Sequence, residues 1–424
     1  MTLDCAGADG NLDRLIDTVM TPDRLRRLGV AVSGGGDSMA LLHVLQGWAR
    51  RHGRHLVAVT VDHGLRPAAK AEAAMVQEVC EGLGVGHTTL SWEGWDGVGN
   101  LQDKARRARY ALISDWALGL DLDAVALAHT ADDQAETFLM RLARGAGVDG
   151  LAAMAPRRRA GGVEWLRPFL GVERTTLRSY LRSRRLGWVE DPSNADPRFL
   201  RVQVRQILQM LAPLGLDAAA ILATTQRLGM AREALDVAAL EAARRIASVE
   251  AGDVCFERAG LLALTPELQR RLVSHALAWV STADYRPRHE ALAAALAAIA
   301  ERRDMTLHGC RVIRGKDAVR ITREFQAVKS LRVELGSLWD RRWRIVAPQG
   351  VDMAGLEIAA LGEVGLATCS RWRETGLGRA TLLASPSVWR GADLVAAPLA
   401  GNPASWRAEL VRGEADYFLS ILSH

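Results

Sequence analysis

The sequence predicts an α/β fold in its N-terminal half, with a parallel sheet covered by helices on both faces. Residues 28 to about 150 alternate short β-branched runs with stretches of helical periodicity, which is the pattern of such sheets. A glycine-rich segment over 33–38 joins the first run to the first helix. The chain has 424 residues, 49% of them hydrophobic, which is enough for several cores and too apolar for a disordered chain.

Four strand–helix pairs make up this region. The predicted strands are 28–32, 55–61, 87–92 and 123–128, and the helices after them are 38–50, 71–83, 100–118 and 132–144. Asn100 is a candidate N-cap with Asp103 three residues further on, and Gly145 follows the fourth helix. Because parallel sheets bind ligands beyond the carboxyl ends of their strands, we expect the chemistry in the loops after these strands.

The C-terminal half has a different pattern. Residues 217–302 are rich in Ala, Leu and Arg with helical periodicity, and Thr265-Pro266-Glu267 is typical of a helix start. Strand-like alternation returns at 311–313, 318–321 and 343–346. We therefore predict three domains: 1–215 for nucleotide chemistry, a mainly helical 216–325 and a small α+β domain over 326–424.

The net charge of the whole chain says little about a partner, whereas the distribution of charge along the chain indicates an anionic one. The total is +5 from 54 basic and 49 acidic residues. Within 151–215, however, twelve arginines face five acids, a net charge of +7 that predicts an RNA-facing segment. Coding bias in a GC-rich genome is the alternative reason for so many arginines.

Other sequence features restrict the class of protein. Five scattered cysteines without a C-x-x-C pair disfavour a disulfide framework and a cysteine-based metal centre. No stretch approaches 18 apolar residues, and the first twenty residues do not form a signal peptide. We expect a cytoplasmic protein without a membrane partner. A homodimer is compatible with the sequence.

The glycine-rich loop carries the sharpest chemical signal. Gly34, Gly35 and Gly36 permit close backbone approach, and free amides at a helix start cradle phosphate, with Ser33 and Ser38 as further donors. Asp37 would repel phosphates unless a cation lies between them, which Mg²⁺ would provide. An ordinary capped turn is the alternative. The loop is neither a Walker A motif nor a dinucleotide fingerprint, since no Gly-Lys-Ser/Thr follows and Met39 stands where that fingerprint has glycine.

A second motif, His129 to Thr137, follows the fourth strand. Asp132 and Glu136 share one helix face, and Asp133 and Thr137 share another. Helix capping explains acids in a first turn, but three carboxylates and a histidine exceed what capping needs. They could hold Mg²⁺, bind an ammonium group or accept a proton. Asp62, at the end of the second strand, is a candidate for the ribose of a nucleotide.

These motifs together resemble the tRNA(Ile)-lysidine synthetases of the N-type ATP pyrophosphatase (PP-loop) superfamily. Six motifs of that family occur in the family's order along 28–210. They are the 33–38 loop, Asp-His-Gly-Leu-Arg at 62–66, the run at 100–110, the 129–137 motif, Arg-Pro-Phe at 167–169 and Glu-Asp-Pro-Ser-Asn at 190–194. The loop alone is typical of the superfamily, whereas the ordered set is specific. One departure is Val202, between Arg201 and Arg205, where the family usually has Asn.

The resemblance implies an adenine-nucleotide α-hydrolase-like (Rossmann-like) fold and a defined reaction. ATP would adenylate the C2 oxygen of the wobble cytidine in the CAU anticodon of tRNA(Ile), and the ε-amine of free L-lysine would displace AMP from C2. It implies ATP binding by 33–38 and Asp62, and catalytic roles for Asp37, His129, Asp132 and Asp133. It further implies that Asp37 and Asp132 bind Mg²⁺ and that Asp133 and Glu136 bind lysine. The residues that it implies for tRNA binding are Arg106, Arg109, Arg167, Asn194, Arg201 and Arg205. Trp165 or Trp188 would stack on the base, unless both are core residues.

Two alternatives stay open at this point. One is another PP-loop enzyme, such as a tRNA thiolase, a GMP synthetase or an NAD synthetase, although C-x-x-C and a candidate glutaminase domain are both absent from the sequence. The other is a nucleotide-responsive RNA-binding protein without catalysis. The acids at 37 and 132–136 disfavour it, because binding alone would not need them all.

Overall fold

A computed structural model describes residues 5–20, 22–64, 68–92, 101–190, 198–283 and 285–422. The chain divides into two compact units, Met1–Arg232 and Glu233–Ser423. The division falls within one long helix, Ala218–Ile246. Each unit has its own hydrophobic core, and the motifs singled out in the sequence lie in the first unit.

The first unit is built on a six-stranded sheet. Its strands are β1 Arg27–Ala31, β2 His55–Asp62, β3 Gly86–Ser91, β4 Ala124–Ala126, β5 Arg157–Ala160 and β6 Val163–Leu166. Their order is β3-β2-β1-β4-β6-β5, and all neighbours are parallel except β5, which pairs antiparallel with β6. Val30 of β1 lies opposite Ala58 on one side and Ala126 on the other. The strand order therefore reverses at β1, and the predicted parallel α/β fold is confirmed.

Helices cover both faces of this sheet. The helices up to the division are α1 Cys5–Val19, α2 Gly36–His52, α3 Ala68–Leu83, α4 Leu101–Gly119, α5 Ala131–Leu142, α6 Val148–Leu151, α7 Arg174–Ser183, α8 Leu200–Leu211, which packs on α5, and α9 Ala218–Ile246, which continues into the second unit. One core contains Val30 and Ala126 of the sheet with Trp48 of α2. The opposite core contains Val125 and Ile113 of α4. Alternate residues of β4 thus point to different faces, as the period of two in a strand requires.

The four predicted strand–helix pairs are present with small shifts at their ends. Asn100 lies outside the described residues, so its capping role stays a prediction. The sequence interpretation missed α1 and the β5–β6 hairpin. Three arginines occupy β5, a composition typical of an edge strand and unlike the apolar runs that mark buried ones. Gly161 and Gly162, both with positive φ, form its tight turn.

The second unit contains three antiparallel sheets. Their strands are β7 Ala247–Glu250, β8 Asp253–Glu257, β9 Met305–Leu307, β10 Cys310–Arg314, β11 Ala318–Arg323, β12 Arg332–Glu334, β13 Trp343–Val346, β14 Leu356–Ala360, β15 Pro386–Arg390, β16 Asp393–Ala396 and β17 Arg407–Leu410. The orders are β7-β8-β11-β10-β9, β12-β14-β15-β16 and β13-β17. Its helices are α10 Arg258–Ala263, α11 Pro266–Ser281, α12 His289–Ala300, α13 Phe325–Val328, α14 Gly362–Thr368, α15 Arg379–Leu383 and α16 Glu414–Ser420.

The region predicted as mainly helical, 216–325, contains α9 to α12, but it also has strands that the prediction did not include. The region holds a five-stranded sheet beside its helices, and the predicted boundary after residue 325 lies inside the second unit. The β7–β8 hairpin was hidden because it is short and stands between long helical patterns. The strands predicted at 311–313, 318–321 and 343–346 are present as β10, β11 and β13. In the described part of the chain no single helix is long and apolar enough to span a bilayer, although Leu200–Leu214 and Ala218–Ile246, bent by 96°, meet that length and composition test as a pair.

Candidate active site

The glycine loop and the 129–137 motif flank the point where the strand order reverses. The loop follows β1 and the motif follows β4, and these two strands are parallel neighbours. Crevices at such switch points are the usual ligand sites of open α/β sheets. The topology therefore brings the two motifs, about a hundred residues apart in sequence, to one place.

The glycine loop is held in shape by hydrogen bonds of its own. Ser38 Oγ accepts from the Ser33 N–H at 3.1 Å and donates to the Gly35 carbonyl at 2.9 Å. The Val189 N–H donates to the Gly34 carbonyl at 2.9 Å, so an extended segment braces the loop from one side. Gly34 has φ +80°, a conformation that a side chain would strain. Ser38 thus shapes the loop, while Ser33 is exposed.

Helix α5 begins with a capping box that includes one of the predicted catalytic acids. Asp133 Oδ2 accepts from the Thr130 N–H at 2.9 Å and from Thr130 Oγ1 at 3.0 Å. Capping, the simpler alternative for this acid, is therefore part of its function. Burial raises the pKa of Asp133, but Arg174, the Thr130 N–H, His129 and Arg201 outweigh it and hold this pKa below its ordinary value.

One arginine, Arg174 at the start of α7, joins the two motifs. Its Nε lies 3.0 Å from Asp37 Oδ2, its Nη2 lies 3.3 Å from Asp133 Oδ1, and its Nη1 lies 3.8 Å from Glu136 Oε1. Its backbone N–H also donates to Asp132 Oδ2 at 2.8 Å. All four predicted acids thus contact a single residue. Desolvation opposes the charge on Arg174, but Asp133 and Asp37 more than compensate and raise its pKa.

Glu136 is the most buried of the four acids, with no exposed side-chain surface. Its Oε1 accepts from Arg205 Nε at 2.6 Å. Its Oε2 is buried and has no hydrogen-bond partner, which is unusual for a carboxylate and marks a place for a donor. Burial and the nearby Asp133 raise the pKa of Glu136, with Arg205 and Arg174 opposing the shift.

The structure gives Arg201 and Arg205 partners inside the protein. They lie four residues apart on one face of α8, while Val202 and Val204 are buried. Arg201 Nη1 is 3.8 Å from Asp133 Oδ1, and Arg205 pairs with Glu136. Both arginines thus contact active-site acids, and their predicted role in tRNA binding stays a prediction. Val202, which stands where the family usually has Asn, is one of these two buried valines.

His129 lies among several arginines and is uncharged at neutral pH. Burial, together with the charges of Arg167, Arg106 and Arg201, lowers the pKa of His129 to about 4 against the opposing effect of Asp133. Its Nδ1 is buried without a hydrogen-bond partner. The charges of three predicted tRNA-binding arginines thus act on an imidazole whose Nδ1 has no hydrogen-bond partner among the described residues.

A second histidine, His63, lies at the end of β2 next to a predicted tRNA-binding residue. Arg109 donates to His63 Nε2 from Nε at 3.2 Å and from Nη2 at 2.9 Å. Burial and Arg109 lower the pKa of His63 to about 4, with Asp62 opposing. Asp62 Oδ1 accepts from the Gly64 N–H at 2.8 Å. Its position beside β1 agrees with a ribose site, which stays a prediction.

Two predicted RNA contacts are buried instead. Arg167 is 5% exposed and its Nη1 donates to the Ala155 carbonyl at 2.9 Å, so it supports the fold. Trp165 is 1% exposed, packs edge-on against Tyr110 and donates to the Ala160 carbonyl, so it is a core residue. Trp188 is half-buried and lies against the loop, since a Cβ on Gly36 would be 3.3 Å from its Cδ1.

The remaining predicted tRNA ligands differ in position. Arg106 is exposed and lies over the Tyr110 ring at 5.3 Å, which leaves it accessible beside the site. Asn194 lies outside the described residues, and its role stays a prediction.

The acids suit a cation that is bound partly by protein carboxylates and partly by substrate phosphates better than one bound by protein ligands alone. Among the described residues, no three His, Cys, Asp or Glu side chains are grouped to hold a metal. Mg²⁺ commonly takes only one or two carboxylates and completes its shell with phosphate oxygens and water. Asp37, 24% exposed and inside the loop, fits that requirement, and burial raises its pKa despite Arg174.

Arg174 is the functional residue that the sequence analysis missed. It is one of twelve arginines in a basic segment, and spacing alone does not tell which of them turns inward. The only signal was its place at the start of a helix soon after Arg-Pro-Phe at 167–169.

Comparisons with known proteins agree with this site. A family model described as a PP-loop domain matches residues 9–211. The chain is 51% identical over 399 residues to a tRNA(Ile)-lysidine synthase of Ruegeria pomeroyi, covering 94% of each chain. It is 33% identical over 327 residues to a protein of the same name from Wolbachia pipientis, covering 75% of this chain and 76% of that one.

Proposed function

The chain belongs to the tRNA(Ile)-lysidine synthase family, and from that premise we propose the reaction that its residues perform. It is an ATP-using enzyme that modifies tRNA(Ile). In the proposed reaction the C2 oxygen of the wobble cytidine attacks the α-phosphate of ATP and pyrophosphate leaves. The lysine ε-amine then attacks C2, AMP leaves, and the amine gives up its proton. The enzyme is thus a carbon–nitrogen ligase.

The observation that carries the proposal is the convergence of Asp37, Asp133 and Glu136 on Arg174. It makes the phosphate loop and the acid motif one site, as a reaction between a nucleotide and an amine requires. Similarity over 94% of both chains favours this reaction over the other PP-loop activities that the loop alone leaves open.

The loop residues are proposed to bind and orient ATP. Amides at Gly34–Gly36 and the start of α2 face phosphate, because a helix N-terminus presents unpaired N–H groups. Asp37 and Asp132 would hold Mg²⁺, and the ion would supply positive charge to balance that of the leaving pyrophosphate. Positioning of this kind is the larger part of catalysis in phosphoryl and nucleotidyl transfer.

The acid motif is proposed to bind lysine and direct its amine. Asp133 and Glu136 supply the negative charge that a cationic substrate needs, and the unpartnered Oε2 of Glu136 offers it an acceptor. His129, with its lowered pKa, adds no positive charge against the amine, although the same shift makes its imidazole a weak proton acceptor. The wobble base would enter beside it, and exposed Arg106 would contact the RNA backbone.

The test is incorporation of labelled lysine into a tRNA(Ile) transcript with a CAU anticodon, in the presence of ATP and Mg²⁺. Wild-type protein is expected to incorporate the label and release AMP. Asp37→Asn should abolish both while tRNA binding persists. Asp13→Asn is the matched control, because Asp13 also pairs with an arginine at 3.0 Å but lies on α1. AMP release without lysine incorporation would contradict the proposed substrate.

A further inference from the structure

The guanidinium of Arg174 fills the space between the acids that the proposed reaction needs for lysine. Its three nitrogens face Asp37, Asp133 and Glu136, one each, at 3.0, 3.3 and 3.8 Å. The Arg174 side chain is 19% exposed, and those of Asp133 and Glu136 are 10% and 0% exposed. This is a compact and largely water-excluded cluster.

The charge of this cluster disfavours a further cation while Arg174 remains. Arg201 and Arg205 already contribute positive charge at its edge, 3.8 Å from Asp133 and 2.6 Å from Glu136. Like charges placed a few ångströms apart with little water between them repel strongly. A lysine ammonium therefore competes with Arg174 for Asp133 and Glu136.

Arg174 has an alternative partner only when nucleotide is present. Its Nε already lies beside Asp37, which belongs to the phosphate loop. An arginine fork binds phosphate oxygens in pairs, and a triphosphate carries more charge than one carboxylate. The backbone N–H of Arg174 is fixed by Asp132 at 2.8 Å, so the side chain can change partners while α7 stays in place.

We infer that Arg174 occupies the ammonium subsite of lysine in the free enzyme and leaves it for the phosphates of ATP, so that nucleotide binding opens the site to lysine. This inference rests on the proposed function. In this scheme Arg174 binds the phosphates of ATP directly and controls the lysine site through Asp133 and Glu136. Its consequence is an order of binding in which lysine is retained only by an enzyme that already holds ATP.

The test is the affinity of the full-length enzyme for labelled lysine, measured by equilibrium dialysis with and without α,β-methylene ATP. In the wild type the analogue should tighten lysine binding on the order of tenfold, within the usual range of coupling between sites, and lysine should tighten binding of the analogue by the same factor. Arg174→Gln should bind lysine more tightly than the wild type in the absence of nucleotide, and the analogue should then change its affinity by less than about twofold.

Controls separate this scheme from a purely structural role. Arg51→Gln breaks an arginine–aspartate pair of the same 3.0 Å length on α2 and should keep the wild-type coupling. Should Arg174→Gln not fold, Arg174→Lys serves instead. It should show weaker coupling than the wild type, because one ammonium cannot face three carboxylates at once.

Two results overturn the inference in distinguishable ways. Lysine binding that is independent of the analogue in the wild type, or full coupling in Arg174→Gln, refutes the exchange of Arg174 while leaving the proposed reaction intact. Absence of lysine binding in every protein and condition refutes the lysine site itself, and with it the proposed function.

Discussion

Removing Arg205 is expected to destabilise the active site through Glu136. The Glu136 side chain has no exposed surface, and Arg205 Nε is its closest partner at 2.6 Å. Breaking one side of a buried ion pair costs about 3–5 kcal/mol. Arg205 is 27% exposed and Arg174 Nη1 remains at 3.8 Å, so we expect the lower value of about 2–3 kcal/mol for Arg205→Met at pH 8.

Local hydrogen exchange is the suitable assay, because a chain of two compact units does not unfold in one two-state step. The α5 amides of Arg205→Met should exchange about 30- to 150-fold faster than those of the wild type at the same pH, since each 1.4 kcal/mol is a factor of ten. Adding Glu136→Gln removes the unpaired charge and should restore most of the protection. A change below about threefold, or no recovery in the double variant, would refute the reasoning.

The same variant has a defined pH dependence. Burial raises the pKa of Glu136 in the folded protein above the ordinary glutamate value of 4.5, and loss of Arg205 raises it further. The folded state then binds the proton more tightly than the unfolded chain does, so stability falls as pH rises through that range. The defect should be fully developed at pH 8 and shrink as the pH is lowered toward 4.5.

Three further outcomes are expected. Gly34→Ala forces a side chain into φ +80°, at a cost of about 1–2 kcal/mol, and should weaken ATP binding on the order of tenfold in a nucleotide titration. Gly53→Ala is the control, because Gly53 has φ +60° at the C-terminal end of α2 and its replacement should leave ATP binding unchanged. Because the pKa of His129 is about 4, the pH profile of kcat/KM should have no step near 6.5 that is due to this residue. A step near 6.5 that disappears in His129→Asn would contradict the assigned charge state. Replacing exposed Arg158 and Arg159 by Gln should weaken tRNA binding and lower its salt dependence by about one phosphate contact each, with unchanged ATP affinity; an altered ATP affinity would place these arginines at the wrong face.

The arrangement of the N-terminal sheet could be predicted because its strands are apolar runs bounded by glycine and polar residues. The alternation of strands and helices predicted that Asp37 and the acids of α5 lie at the same edge of the sheet, and the strand order in the structure brings them to one switch point. Pattern could not find β5, because an arginine-rich edge strand lacks the apolar alternation that marks a strand. The β7–β8 hairpin was missed for a related reason, since strands of four and five residues within a mainly helical pattern leave too short a signal.

The directions of the arginine side chains in the basic segment could not be predicted from the sequence. Arg174 and Arg205 turn toward acids that lie far away in sequence, and only the packing of α7 and α8 decides this. Arg167 was misjudged because a buried arginine satisfied by a backbone carbonyl has the same sequence signal as one that binds RNA. These contacts depend on tertiary structure, whereas motif spacing reports on local structure.

The twelve arginines of the basic segment therefore divide into two sets with different functions. Arg174 and Arg205 face the active-site acids and Arg167 is buried, so these three do not form a free surface for RNA, whereas the Arg201 side chain is 42% exposed beside Asp133. The net charge of +7 over 151–215 consequently overstates what a tRNA would meet. Within the site, guanidinium groups balance Asp37, Asp133 and Glu136 almost one for one. A site that is close to neutral can accept a polyanion and a cation in turn, because each substrate replaces a charge of its own sign. In this view the arginine excess serves charge exchange in catalysis as well as RNA binding.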